Sequence, residues 1–307
     1  MISSTSNRHI AELHALHAAK GRAEAGAFLI EGPHLLEVAL AAHVVPLRIV
    51  YDPDALQRTT AGRQTLSLIE DAQARGAEVH PATAAAIERA SDTRTPQGVV
   101  AMVASEDVAA DRVRARRRGR FRPLLLVLDA LSDPGNMGTV LRSALAADVD
   151  EVLLAPGSAD PLAPKVMRAG AGAHFYLPIR TELDWAQIGE RLYGAPPAQQ
   201  VLLAEADAQR AYDDVDMTAR TALIVGNEAH GPSTEATRLA TERVMIPMWN
   251  KIESLNAAVA ASVILFEAAR QRRAKEAGQP KKHTIESEKA TTERVGGEGI
   301  QGAGVSD

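Results

Sequence analysis

The sequence predicts an α/β protein in two parts: a small strand–helix layer domain over residues 1–105 and a parallel α/β domain over 123–272. Three observations carry that prediction. Short apolar strands alternate with helical stretches on both sides of an arginine-dense block at 106–122. Two strand-like runs, Thr221–Val225 and Val244–Met248, empty into polar turns marked by glycine, proline or serine. A last segment, Leu255 to Ala269, is apolar on nearly every helical side and reads as a buried helix. The length of 307 residues agrees with about two domains.

Composition narrows the class. Apolar residues make up 46% of the chain but aromatics only 3%, so the cores must be built from Ala, Val and Leu. The absence of cysteine excludes a disulfide scaffold, a thiolate metal site and a cysteine nucleophile. No apolar run reaches the roughly 18 residues of a membrane span, and the N-terminus lacks an apolar signal core, so a cytoplasmic protein is expected. The net charge of −5 alone argues against nucleic acid, but the basic residues are unevenly distributed.

In chain order, residues 1–26 are polar and helix-prone. Their His9, His14 and His17 read as a solvated helix face, because no carboxylate or cysteine stands at ligand spacing; no metal is expected. Phe28–Ile30 is a strand, and Pro33 at a first helical position starts a helix to Ala42. Strand Leu47–Tyr51, a polar helix Leu56–Arg75, strand Glu78–His80, helix Thr83–Ala90 and strand Gly98–Val103 follow. The punctuated turn Ser91 to Gly98 reads as a surface loop.

The block from 104 to 122 holds seven arginines: Arg112, Arg114, Arg116, Arg117, Arg118, Arg120 and Arg122. Like charges repel and resist packing, which suits a solvated linker. Arginines that neutralise phosphates also release counterions, so Arg114, Arg116, Arg117 and Arg118 are candidate RNA contacts. The two readings are compatible, and both stand at this point.

Leu124–Asp129, a helix Asn136–Ala147 and Glu151–Leu154 form a βαβ unit. Its first turn, Asp129 to Gly138, lacks a G-x-G-x-x-G fingerprint and carries Pro134 where phosphate-binding donors would be needed. A dinucleotide enzyme is therefore disfavoured. A helix at Pro164–Ala169 carries Lys165 and Arg168, two further candidate RNA contacts. Then come a strand Phe175–Pro178, an amphipathic helix Asp184–Leu192, a strand Val201–Ala204 and an acidic loop 205–216. From about Arg273 the chain is almost devoid of apolar residues, and a disordered tail is expected over 273–307.

Three segments stand in order: Asn136-Met137-Gly138 with Arg142; Gly226-Asn227-Glu228-Ala229-His230-Gly231; and Ile246-Pro247-Met248 leading to Ser254-Leu255-Asn256. Together they resemble the three-motif signature of the SpoU (TrmH) family of RNA ribose 2′-O-methyltransferases, within the SPOUT superfamily. Phe28 to Gly32 and Asp92 to Gly98 resemble that family's RNA-binding module, so the resemblance covers residues 1 to about 270. One departure is Arg168-Ala169-Gly170-Ala171-Gly172, where relatives often carry a serine between the alanines. The resemblance implies a deep C-terminal trefoil knot, a homodimer with its site at the interface, and S-adenosylmethionine as cofactor. Periodicity by itself predicts only an ordinary parallel sheet. By position, the implied cofactor contacts are Gly226, Ile246, Met248 and Leu255, with Leu203 and Ala204 at a strand end.

A methyl group must then pass in line to a ribose hydroxyl that loses its proton as the bond forms. The family assigns the base role to the arginine at position 142. A guanidinium is always protonated, so orienting a phosphate and stabilising an incipient alkoxide suits Arg142 better. Asn136 is expected to bond across the loops, with a helix cap as the plainer alternative. Glu228 is expected to accept from knot-loop N–H groups or to orient Arg142, against a solvated turn carboxylate. Ser254 and Asn256 are expected in the active site, with helix capping as their alternative. A non-catalytic RNA-binding or assembly protein on the same scaffold is the rival class. Ribosomal RNA, 23S in particular, is preferred to tRNA as substrate.

Overall fold

The computed structural model describes residues 1–116, 123–194, 197–227, 230–249 and 254–278. Two helices, α1 (Arg8–Ala15) and α2 (Ala19–Ala25), precede an alternating segment: β1 (Ala27–Glu31), α3 (Pro33–Ala41), β2 (Arg48–Tyr51), α4 (Pro53–Gln57), α5 (Thr60–Ala74), β3 (Glu78–Pro81), α6 (Ala84–Ala90) and β4 (Val99–Ala104). The strands form a four-stranded sheet of order β1-β4-β2-β3, antiparallel except for the β2–β3 pair. Apolar side chains line both faces of this sheet: Phe28, Ile30 and Ile49 pack towards α3 and α5, whereas Leu29 and Val50 pack towards α1 and α6. The expected helix 56–75 is two helices. The Thr59 hydroxyl accepts from Gly62 N at 2.9 Å and caps a new helix, which ends the old one.

After α7 (Ala110–Arg116) come β5 (Leu124–Leu128), α8 (Pro134–Ala146), β6 (Glu151–Leu154), α9 (Pro164–Gly170), β7 (Ile179–Arg180), α10 (Trp185–Tyr193), β8 (Gln200–Ala204), β9 (Arg210–Ala211), β10 (Thr221–Val225), α11 (Thr234–Leu239), β11 (Glu242–Met245) and α12 (Ala257–Ala277). Their seven-stranded sheet has the order β7-β6-β5-β10-β8-β11-β9, and every strand pair in it is parallel. The runs LLLVL and TALIV are continuous rather than alternating because helices cover both faces of such a sheet.

Four further expectations need correction. The strand expected at 175–178 is replaced by a 3-10 turn, Ala173–Phe175, and a short strand begins at Ile179. Ala171 and Gly172 both have positive φ there, which turns the chain, and Phe175 leaves the sheet to pack beside Phe28 with ring centroids 6.4 Å apart. The strand expected to reach Met248 stops at Met245, two residues before Pro247, which has no N–H to offer a ladder. Helix α8 starts at Pro134 rather than Asn136, because the Asp133 side chain caps it. The last helix does not stop near Arg273 but runs to Ala277. Arg272 is buried and donates to the carbonyls of Met217 (2.9 Å) and Ala219 (2.6 Å), tying that end to the loop before β10. Residues 279–307 lie outside the described residues.

The two sheets are joined by side chains of both kinds. Met167 and Phe175 complete the apolar cluster around Phe28. Arg168 pairs with Glu31 at 3.1 Å and Asp92 at 2.8 Å, and buried Arg22 pairs with Asp160. Among the described residues, no helix is long and apolar enough to cross a membrane.

Candidate active site

In a parallel sheet all strands deliver their loops to one edge, and a ligand crevice is expected outside the strands' carboxyl ends. A cavity of about 520 Å³ lies there, at the ends of β8, β10 and β11. Ala204, Val225 and Val244 form its floor. Ile246, Met248, Leu255, Ala257, Ala260 and Ile264 supply apolar wall, while Gly226, Asn227, His230, Gly231 and Pro232 bring polar backbone to the rim. Glu205 and Asp207 add carboxylates, Glu205 being paired with Arg243 at 3.1 Å. Size, apolar walls and a few fixed polar groups suit a nucleoside-sized ligand.

Close backbone crossings build the cavity. A Cβ at Gly226 would lie 2.9 Å from both N and Cα of Pro232, so only glycine lets the loop after β10 fold back so tightly. Asn227 fixes that loop: its amide donates to the Ala130 carbonyl at 2.7 Å, and its side-chain oxygen accepts from His230 N at 3.1 Å. Ala130 has φ 55°, a strained value for a residue with a Cβ, and it lies in the loop after β5. In the same corner, buried Asp129 accepts from Ser233 N at 2.6 Å. The loops after β5 and β10 are thus bonded to each other twice.

A third segment locks on. The Asn256 side-chain oxygen caps α12, accepting from Ala258 N at 2.9 Å and Val259 N at 3.3 Å. Its amide remains free to donate to Asn136 Oδ1 at 3.1 Å. Capping and cross-loop bonding are therefore the same residue's two ends. Asn136 sits in the first turn of α8, where Asp133 Oδ1 accepts its N–H at 2.8 Å, and Lys165 lies 3.8 Å from the other Asp133 oxygen. Gly138 lets α8 and α9 touch: a Cβ there would fall 2.5 Å from the Ala169 Cβ.

Of the residues singled out from sequence, Ala204, Gly226, Ile246, Met248, Leu255 and Ser254 line the cavity, and Asn136 and Asn256 meet beside it. Leu203 does not line it. Its side chain is fully buried on the sheet's other face with Ile188 and Leu192, because adjacent strand residues point to opposite sides. Arg142 is exposed further along α8, makes no hydrogen bond or ion pair among the described residues, and does not line its own chain's cavity. Glu228 lies outside the described residues. Sequence reasoning missed Asp207, Thr237 and Ala260, which carry no motif of their own and reach the cavity only because the loops fold over it, and it gave no role to His230 although that residue stands in the second motif.

The expected RNA contacts divide differently. Arg168 is engaged inside the molecule by Glu31 and Asp92, which locks α9 to the first sheet instead of leaving a free guanidinium. Arg114 stands 3.5 Å from Glu151, at the amino end of β6 and so at the sheet edge opposite the cavity. Buried Glu151 also takes Arg180 at 2.5 Å and Arg191 at 3.6 Å, and Arg180 holds the Asp111 carboxyl below its ordinary range. Arg116 ends α7; Arg117 and Arg118 lie outside the described residues. Lys165 is exposed at the cavity's corner of the molecule.

Comparison with known proteins agrees with this architecture. The profile of the SpoU rRNA Methylase family matches residues 123–266, and that of the MRM3-like substrate binding domain matches residues 7–101. An uncharacterised tRNA/rRNA methyltransferase of Synechocystis sp. is 32% identical over 270 residues, covering 88% of this chain and 93% of that protein. The 23S rRNA (guanosine(2553)-2′-O)-methyltransferase RlmP of Bacillus subtilis is 29% identical, covering 86% of this chain and 97% of its own length. The crystal structure of an AdoMet-bound rRNA methyltransferase from Sinorhizobium meliloti superposes with a TM-score of 0.73 at 26% identity, covering 88% of this chain and 97% of that one. The chain belongs to the SpoU rRNA methylase family.

Proposed function

We propose that this protein is an S-adenosylmethionine-dependent RNA 2′-O-ribose methyltransferase acting on ribosomal RNA. The observation that carries the reading is the cavity closed by Gly226 with the Asn136–Asn256 bond at its side. A relative named as a 23S rRNA 2′-O-methyltransferase agrees with it. The donor set fits the cofactor: an apolar slot of about 520 Å³ for an adenine, backbone groups at Gly226 and Ile246, and the Asp207 carboxylate for hydroxyl or ammonium groups. When bound, S-adenosylmethionine supplies an electrophilic methyl group on a sulfonium. Ile246, Met248 and Leu255 hold water away from that charge. Asn136 and Asn256 fix the loop corner where the ribose must lie.

Several finer points belong to the same proposal. The chain divides into a substrate domain (1–105), a linker (106–122), a methyltransferase domain (123–272) and a tail (273–307). The segment after β11 passes through the loop after β10 as a trefoil knot. In support, β10 lies between β5 and β8, and the chain returns after β11 to bond Asn136. An experimental density map with an unthreaded path would refute it. Two chains pair through α12, whose Val259 and Phe266 are exposed on the helix with Leu255 just before it. That pairing brings Arg142 to the partner's cavity, where its planar fork orients a phosphate and stabilises the forming alkoxide. A sedimentation run giving only monomer at micromolar concentration would remove this part. Ribosomal RNA as substrate favours the cytoplasm as the compartment.

The deciding experiment is labelled methyl transfer to rRNA transcripts, ribosomal subunits and tRNA, with the product digested by alkali. An alkali-resistant labelled dinucleotide from rRNA is expected. Label on a base, or transfer to tRNA alone, would refute the assignment.

A further inference from the structure

We propose that the N-terminal domain carries a zinc-type divalent metal site formed by His9, Glu78 and His80. The grouping is non-local. His9 lies in the first turn of α1, where the Asn7 side chain accepts its N–H at 2.9 Å and sets the ring towards the sheet edge. Glu78 and His80 alternate along β3, so both side chains leave the strand on one face. Their ligand atoms all lie within 4.8 Å of one another. His80 Nε2 is 2.8 Å and His9 Nδ1 3.9 Å from the same oxygen, Glu78 Oε1. Ligands of a tetrahedral zinc ion are roughly 3.3 Å apart, given zinc–nitrogen and zinc–oxygen bonds near 2 Å. Side-chain shifts of an ångström or so would meet that spacing, leaving the fourth position for water.

Two further observations point to a ligand. His9 is buried, and its Nδ1 has no hydrogen-bond partner although it faces a carboxylate. A buried polar atom without a partner is costly, and a metal ion would satisfy it. Glu78 is also braced as a ligating carboxylate usually is. Arg48 Nε donates to its second oxygen at 2.6 Å while Glu12 holds the same guanidinium, leaving Oε1 to the two imidazoles. The two rings lie side by side with centroids 4.4 Å apart. Binding through Nδ1 puts the His9 proton on Nε2, so the exposed Arg8, whose Nε is 3.4 Å away, must turn aside. With two imidazoles and one carboxylate, the site suits zinc and its first-row neighbours rather than magnesium or calcium. A bound ion would rivet α1 to the edge strand of the substrate domain.

The test uses the full chain, stripped of metal and titrated with Zn²⁺ by calorimetry, with Co²⁺ absorption reporting the geometry. One ion per chain with micromolar or tighter affinity is expected, with a tetrahedral-type Co²⁺ band. His80→Gln and Glu78→Gln, both on partly exposed side chains, should each lower affinity at least about tenfold without changing the circular dichroism. A His14→Gln/His17→Gln double variant should bind as the parent does, since those rings bond the carbonyls of Arg89 and Ala90. No heat at micromolar zinc, unchanged binding by His80→Gln, or loss of binding in the His14/His17 variant would each overturn the proposal.

Discussion

The two edges of the seven-stranded sheet are built from opposite materials. At the carboxyl edge, loops cross at van der Waals distance, backbone groups face a cavity and Ser254 lines it, while Arg142, further along α8, is exposed and has no hydrogen-bond or ion-pair partner among the described residues. At the amino edge, Arg114, Arg180 and Arg191 all converge on buried Glu151. Arginine alone therefore does not mark an RNA surface; the partner of each arginine decides. Guanidinium groups already neutralised by a buried carboxylate hold the fold together, whereas an exposed one without a carboxylate is available to substrate.

The sharpest way to break this contrast is Arg142→Ala. Methyl transfer should fall by about a thousandfold or more while cofactor affinity by calorimetry stays within a few-fold. Lys should rescue poorly. A mixed dimer of Arg142→Ala and Gly226→Ala chains separates the arrangements. With cofactor kept well below the Gly226→Ala dissociation constant both homodimers should be nearly inactive, yet the mixture should recover activity if Arg142 serves the partner's cavity. A silent mixture would put Arg142 to work in its own chain or elsewhere.

At the other edge, Glu151→Ala should destabilise by roughly 2–3 kcal/mol, since it strips three arginines of their shared carboxylate. Activity per folded molecule should not change. A specific activity that fell with intact folding would mean the edges are not separate. Gly226→Ala sharpens the first edge: forcing a Cβ against Pro232 should cost about 1–3 kcal/mol in urea melts and weaken cofactor binding at least about tenfold. The smallest effect belongs to Arg114→Ala, an exposed pair member expected to cost less than about 1 kcal/mol. The salt dependence of RNA binding should stay the same in that variant. A flatter slope would return Arg114 to the RNA.

Much of this was legible from the chain. β5, β6 and β10 were readable because a strand buried on both faces must be apolar throughout, and Leu124–Leu128 and Thr221–Val225 are. The cavity residues Gly226, Ile246, Met248 and Leu255 were reached through their motifs. What failed was whatever depends on contacts distant in sequence. Phe175 looked like strand because apolar side chains do not say which core they enter. Strand alternation turns the Leu203 side chain away from Ala204, so only its backbone could serve the cofactor contact implied for it. Arg168 looked free until Glu31 and Asp92 arrived from the other sheet. His9 read as part of a solvated helix face, yet it is buried against Glu78 and His80 of β3.

The bond between Asn136 and Asn256 spans 120 positions, and β10 must enter between β5 and β8 before the sheet is continuous. During synthesis, then, a nascent chain that has emerged only as far as β8 holds neither the middle of its sheet nor any cavity. The substrate domain is complete long before that point, being built of strands that end at Ala104. Translation should therefore produce a chain able to dock on RNA well before it is able to modify it, because α12, whose cap residue bonds Asn136, must emerge before the cavity is closed.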